Sequence, residues 1–331
     1  MLHFNHILVV LFVCLAWAAL AAEDRYTPKP GPMEVATLKL EWHDAARNRD
    51  VPVKIFYPKS AESPCPVIVF SHGLGGSRDG YGYLGQHWAS YGYVSVHLQH
   101  IGSDTAVWLG SKNMMADMGK AAANPANAIN RPLDVRFAID QIEKLNKDDG
   151  PLKGKLDLER IGMAGHSFGA YTTLAAVGEV FVLPGGIEKT LADSRIKAAI
   201  AMSSPVPLNR ANDDKAFGSI RIPVFHMTGT KDDSPIGNSK APDRRIPFDH
   251  SKPADTYLLV FKDGDHMVFS GRVGIQRPLD KEQQGLIRAS SLAFWDAYLK
   301  DDPAAKKWLA DGAFEKELGA GGTFEKRKDS R

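Results

Sequence analysis

The sequence predicts an α/β fold: a mostly parallel central sheet with helices on both faces. Two observations carry this. Short apolar runs rich in branched residues alternate with stretches of helical length and period, the pattern of crossover-connected parallel strands. The run Val67-Ile68-Val69-Phe70 is continuously apolar, as a strand covered on both faces must be, and runs straight into a glycine-rich turn. The chain has 331 residues, 44% apolar and 24% charged, enough to bury a sizeable core, and shows no internal repeat or low-complexity stretch.

The elements follow in chain order. Residues 7–20 are apolar and uncharged, too short for a comfortable membrane span, and end in the small-residue run Ala18-Ala19-Leu20-Ala21-Ala22. That pattern predicts a cleaved signal peptide over residues 1–22 and a secreted or periplasmic protein with no stable membrane insertion after cleavage. Residues 23–315 are expected to form the domain that carries the chemistry, and residues 316–331 a flexible polar tail. Residues 51–57 alternate as an early antiparallel strand. Strands are predicted at 67–70, 93–99, 161–164, 198–202, 224–228 and 257–261. Between them, residues 134–145 place Val135, Ala138, Ile139 and Ile142 on one helical stripe, residues 168–177 form a second helix, and residues 286–299 a third that packs on the sheet. Residues 102–127 and 209–219 lack a clear period. Trp108, Met114, Met115 and Met118 make the first of these a candidate lid or rim insertion.

Charge excludes some functions. With 41 basic against 39 acidic residues the formal net charge is +2, so no long-range field recruits nucleic acid or an anionic membrane. The basic cluster Lys326-Arg327-Lys328 reads as a solvated end. Removal of residues 1–22 takes away Cys14 and leaves Cys65, so no internal disulfide is available; Cys65 reads as a buried, inert thiol.

The chemistry lies in the turns. Gly165-His166-Ser167-Phe168-Gly169 fits Gly-x-Ser-x-Gly, a weak match by itself. Its context strengthens it: a strand ends just before it and a helix begins just after. Such a turn holds the central residue in a strained conformation, requires small flanking residues, and lifts the serine hydroxyl to the sheet's carboxyl edge. Ser167 is therefore the candidate nucleophile of an α/β-hydrolase fold. A serine hydroxyl needs a base to take its proton, and this fold supplies acid and base from loops after later strands. Gly229-Thr230-Lys231-Asp232-Asp233 follows one such strand and Asp263-Gly264-Asp265-His266 another. His266 is the candidate base. The acid is Asp232, favoured for its spacing from Gly229, or Asp233 as the alternative. Ser71-His72-Gly73-Leu74-Gly75-Gly76 follows the 67–70 strand, and its glycines let amides turn inward. The backbone amides of Leu74 and Phe168 are the candidate oxyanion donors, with His72 bracing the loop. His97 and His100 lack a third convergent ligand for a metal, and the glycines at 73–80 lack the Lys-Ser/Thr ending of a phosphate loop. No metal or cofactor is called for.

Phe70-Ser71-His72-Gly73-Leu74-Gly75-Gly76, Gly165-His166-Ser167-Phe168-Gly169 and Asp265-His266 resemble the platelet-activating-factor acetylhydrolase and dienelactone-hydrolase branch of the α/β hydrolases. The similarity runs from about residue 38 to about residue 299. It implies a carboxylic-ester hydrolase acting on a small-molecule or polymeric ester, with Leu74 and Phe168 as the oxyanion amides. Dienelactone hydrolases proper use a cysteine where this chain has Ser167, which argues against their reaction. Secreted polyester-cleaving cutinases are similar in fold, but their disulfides have no counterpart here. The rivals are an amidase or peptidase using the same triad, and a non-catalytic binding protein that kept the fold.

Overall fold

A computed structural model describes residues 26–182, 185–207, 210–252, 255–271 and 276–327. The expected signal peptide lies outside the described residues.

The strands, in chain order, are β1 (Val35–Asp44), β2 (Arg49–Pro58), β3 (Cys65–Ser71), β4 (Val94–Leu98), β5 (Leu156–His166), β6 (Val180–Val182), β7 (Glu188–Thr190), β8 (Ile196–Met202), β9 (Val224–Lys231), β10 (Thr256–Asp265) and β11 (Gly322–Arg327). Nine of them form one sheet in the order β1-β2-β4-β3-β5-β8-β9-β10-β11, while β6 and β7 pair as a separate hairpin. From β4 to β10 every neighbouring pair is parallel; β1, β2 and β11 add antiparallel edges. The sheet is thus the mixed, mostly parallel sheet of an α/β hydrolase.

The helices are α1 (Gly82–Ser90), α2 (Met114–Ala123), α3 (Pro125–Leu145), α4 (Phe168–Val177), α5 (Asp213–Phe217), α6 (Ile246–His250), α7 (Pro278–Leu299), α8 (Pro303–Ala310) and α9 (Ala313–Leu318). Side chains on successive strand residues point to opposite faces, and the core divides accordingly. Ile68 and Phe70 of β3 pack with Trp88, Phe294 and Trp295 on one face. Val67 and Val69 pack with Val135, Ile139, Ile142 and Leu174 on the other. Polar ties fix α7 to the first face: the Trp88 indole donates to Ser291 Oγ at 2.9 Å, and the Tyr93 hydroxyl to Asp296 Oδ1 at 2.7 Å.

Two segments differ from the sequence reading. Residues 316–327 are not a loose tail: β11 pairs along β10, Phe324 stacks on Tyr257 at 5.7 Å, and the Lys326 ammonium sits over the same Tyr257 ring. One apolar side chain suffices to anchor a strand at a sheet edge, where charged residues are the norm. Arg327, expected in a solvated cluster, covers the Phe248 ring and donates to Asp249 O and Ser251 O. Residues 102–127 are not aperiodic: they hold a 3₁₀ turn at Thr105–Val107 and α2, whose N-terminus is capped by the Asn113 side chain on Ala116 N. The short α5 likewise falls within 209–219.

Candidate active site

β5 stops at His166 and α4 starts at Phe168, so Ser167 alone makes the turn, at φ 56° and ψ −119°. A non-glycine residue held there costs about 1–3 kcal/mol, supplied by the surrounding packing. The packing explains both flanking glycines. A Cβ on Gly165 would lie 2.2 Å from Gly169 O, and one on Gly169 would lie 1.9 Å from Ser71 O. Only glycine lets β3, β5 and α4 approach this closely. The result is a serine at the carboxyl edge of the sheet and at the N-terminus of a helix, whose dipole favours negative charge.

The structure brings Ser167, His266 and Asp232 into one hydrogen-bonded row. His266 Nε2 is 2.9 Å from Ser167 Oγ, and His266 Nδ1 is 2.7 Å from Asp232 Oδ1. Asp232 is fully buried, and its second oxygen accepts from Ser203 Oγ at 2.6 Å and Thr228 Oγ1 at 2.8 Å. Burial alone would push this carboxyl up. The His266 hydrogen bond, the Arg244 charge and the Ser203 hydroxyl outweigh burial and hold it below the ordinary carboxylate range. Asp233 points the other way: it is exposed, pairs with Lys240 Nζ at 2.9 Å and accepts from Ala241 N at 3.0 Å. The alternative acid therefore caps a loop, and the contact with His266 is made by its neighbour.

Tautomers follow from the partners. Asp232 can only accept, so Nδ1 of His266 carries the proton and Nε2 faces the serine hydroxyl with its lone pair. Arg244, buried and unremarked in the sequence, is a further member of the site. It donates from Nε to Asp232 O at 3.1 Å and from Nη1 to Ser203 O at 2.9 Å, and its Nη2 lies 3.4 Å from His266 Nδ1. It ties together the ends of β8 and β9 and the imidazole between them.

The loop after β3 is held by two networks. His166, within the serine motif, donates from Nε2 to His266 O at 2.9 Å and accepts at Nδ1 from the Tyr81 hydroxyl at 2.8 Å. The Tyr81 oxygen in turn accepts from Gly73 N at 3.2 Å. Burial holds His166 well below the usual histidine range, so it stays neutral as this chain of bonds requires. One continuous run of hydrogen bonds therefore links the Gly73 loop to the backbone of His266. Deeper, Ser71 Oγ is 2.9 Å from His100 Nε2, and His100 Nδ1 is 2.9 Å from Asp134 Oδ2. This is a second Ser–His–Asp row, but all three residues are fully buried, so no substrate reaches it. Arg131 sits across it, donating to Ser71 Oγ, Ser103 Oγ, Thr172 Oγ1 and His72 O, with its guanidinium over the Phe168 ring. Asp134 also takes Arg49 at 2.8 Å. His72 accepts from His100 N at Nε2, in keeping with a bracing role. His97 stacks on Phe70 at 4.8 Å, while His100 pairs as described, so the two histidines serve different partners. Among the described residues no group of three or more His, Cys, Asp or Glu side chains is arranged to hold a metal ion.

The two candidate oxyanion amides stand out by what surrounds them. In the β3 loop, Gly73 N, Gly75 N and Gly76 N are taken by Tyr81, Ser103 O and Gly73 O. Leu74 and Phe168 both line a cavity of about 880 Å³ that opens on Ser167 and His266. Tyr171, Glu179 and Phe181 also line it, as do Met118, Gly119, Ala122 and Ala123 of α2. The segment expected as a lid or rim is thus a cavity wall. Its Trp108 indole donates to Gly75 O at 2.7 Å, while Met114 and Met115 face outward. Cys65 is buried, and burial raises its thiol pKa.

Residues 35–121 match the family described as platelet-activating factor acetylhydrolase, isoform II. Among curated proteins, the platelet-activating factor acetylhydrolase of Canis lupus familiaris is 28% identical over 195 residues, 50% of this chain and 40% of its own. That of Cavia porcellus is 24% identical over 295 residues, 78% of this chain and 63% of its own. That of Bos taurus is 23% identical over 197 residues, 50% and 40%. The matches span between two fifths and just under two thirds of these relatives' own length. The chain is similar to this serine-esterase branch of the α/β hydrolases.

Proposed function

We propose that this chain, similar to the platelet-activating factor acetylhydrolases, is a serine hydrolase that cleaves carboxylic esters through an acyl-enzyme. Ser167 is the nucleophile, His266 the general base, and Asp232 the acid that orients it. The observation that carries the reading is the 2.9 Å contact between His266 Nε2 and Ser167 Oγ, backed by the 2.7 Å contact to Asp232.

His266 Nε2 takes the Ser167 proton as Oγ attacks the ester carbonyl. The carbonyl oxygen becomes negative, and the Leu74 and Phe168 amides donate to it. Losing one such donor costs about 10²–10³ in turnover. Collapse of the tetrahedral intermediate expels the alcohol, which leaves with the proton returned by His266 Nε2. Water, deprotonated by the same imidazole, then attacks the acyl-enzyme and frees the acid. Throughout, Asp232 stays ionised and stabilises the imidazolium without taking its proton. The expected export signal over residues 1–22 makes the protein secreted or periplasmic.

The test is hydrolysis of p-nitrophenyl acetate by the purified chain and by Ser167→Ala and His266→Gln. Activity in the parent chain and its loss by at least about 10³-fold in both variants supports the assignment. Wild-type turnover that survives either substitution overturns it. A p-nitroanilide run in parallel separates ester from amide cleavage.

A further inference from the structure

Arg131 of α3 is fully buried, and no step of the ester chemistry uses it. A guanidinium has five N–H groups in a rigid fork, and four of these reach acceptors here. Each acceptor belongs to, or is bonded to, a segment that carries a candidate oxyanion amide. Nη2 donates to His72 O and to Ser71 Oγ at 3.1 Å, just ahead of Leu74 in the loop after β3. Nη1 donates to Ser103 Oγ at 2.9 Å, and the Ser103 carbonyl accepts from Gly75 N at 2.9 Å, just beyond Leu74. Nε donates to Thr172 Oγ1 at 2.9 Å, and the Thr172 hydroxyl donates to Phe168 O at 2.9 Å. The guanidinium carbon also lies 4.5 Å from the centroid of the Phe168 ring. One planar group therefore fastens the chain on both sides of Leu74 and the first turn of α4.

Its charge is not cancelled at contact. All four acceptors are neutral, and among the described residues no carboxylate pairs with it. Asp134, one turn along the same helix, is taken instead by Arg47 and Arg49 at 2.8 Å and by His100 at 2.9 Å. Burying a cation without a partner is costly, so its retention calls for a compensating use. A fixed positive charge close to two inward-facing amides strengthens their field in an interior that water does not screen. We propose that Arg131 is a positioning residue for ester cleavage, locking the Leu74 and Phe168 amides into one arrangement and holding a positive charge near the oxygen they serve. This rests on the assignment of Ser167 and His266 as the ester-cleaving pair and of those amides as the oxyanion donors. It adds to that assignment the group that sets the donors in place. Its effect is confined to the state in which the oxygen is negative, so Arg131 raises turnover and leaves ground-state binding alone.

The experiment compares the parent chain with Arg131→Met and Arg131→Lys on p-nitrophenyl acetate, with rates expressed per serine titrated to completion by a fluorophosphonate. Arg131→Met should lower kcat by at least about 10²-fold, the effect of a misplaced oxyanion donor, with KM within about threefold. Arg131→Lys restores the charge without the fork and should regain at least about tenfold of that kcat. A lysine variant no faster than the methionine one overturns the role given to the charge. The second readout is inhibition by a trifluoromethyl ketone, whose adduct with Ser167 carries the oxyanion. Across the three proteins its inhibition constant should rise in proportion to the loss of kcat/KM, while that of the matching methyl ketone moves by under about threefold. A role in folding alone would lower the melting temperature and the titrated fraction but leave kcat per active serine and the ketone ratio unchanged. That result overturns the inference. Where the Arg131 variants do not fold, Thr172→Val takes their place: removing the Nε acceptor should cost about tenfold in kcat at unchanged KM, and a loss under about twofold overturns the inference. An active parent with unaffected variants leaves the esterase reading standing, whereas a parent that neither cleaves the ester nor binds the trifluoromethyl ketone overturns both.

Discussion

Replacing Asp232 by asparagine changes charge without changing shape, and the surroundings of this carboxylate fix what should follow. In a triad whose acid is held by fixed donors, an amide turns its N–H₂ toward the imidazole and traps the wrong tautomer. Here the outer oxygen of Asp232 is held by two hydroxyls, Ser203 and Thr228, which can rotate to accept as readily as they donate. A side-chain amide at this position can therefore keep its oxygen on His266 Nδ1 and its N–H₂ on those hydroxyls. The tautomer survives and the charge alone is lost. At about 4 Å and an effective dielectric of about 20, a carboxylate and an imidazolium attract by about 4 kcal/mol. That is about 10³ in rate at about 1.36 kcal/mol per decade. Arg244, left without its counter-charge beside the ring, adds to the penalty. Asp232→Asn should lower kcat/KM on p-nitrophenyl acetate by about 10³. A loss under tenfold would refute the reasoning.

Other sites yield further expectations. Asp134→Asn leaves His100 and Arg49 facing a neutral amide in a dry interior, so it should cost about 3–5 kcal/mol, visible as a lowered melting temperature, while Ser71 stays unreactive to serine-directed reagents. Gly169→Ala drives a Cβ into Ser71 O and should destabilise by about 3 kcal/mol or more, measured by urea unfolding; a stable, active Gly169→Ala enzyme would contradict the close approach. Glu179 is raised from 4.5 to about 8 on folding, so the unfolded chain ionises first and stability falls as pH rises through that window. Glu179→Gln removes this cost: the two proteins should match near about pH 4, and the variant should lead by something on the order of 4 kcal/mol above about pH 8, read from denaturant midpoints across pH.

Much of this could be read from the sequence, and the rest is lost for identifiable reasons. The central strands were legible because burial on both faces makes them continuously apolar, as in Val67-Ile68-Val69-Phe70. The serine turn was legible because close backbone approach leaves glycine as the residue that fits at 165 and 169. The choice between Asp232 and Asp233 was not. Adjacent carboxylates at a strand end look alike until Ser203, Thr228 and Arg244 converge on one of them from 29, 4 and 12 residues away. Arg244 and Glu179 carry no local signal, since a buried charge is spelled like a surface one and only its surroundings distinguish it. The edge strand β11 has no legible pattern because Phe324 alone supplies its apolar anchor. The first edge strand, β1, gives only a weak signal even though Leu38, Leu40 and Trp42 alternate along it, because it is covered only in part.

The central claim is that one serine, strained at the head of α4, carries the covalent chemistry. Intact-mass and peptide analysis after treatment with a fluorophosphonate tests it most directly. The account predicts a single adduct per chain, on the peptide containing Ser167, with esterase activity lost in proportion to labelling and no adduct on Ser167→Ala. Labelling of another residue with equal loss of activity, or full activity in a fully labelled chain, would contradict it.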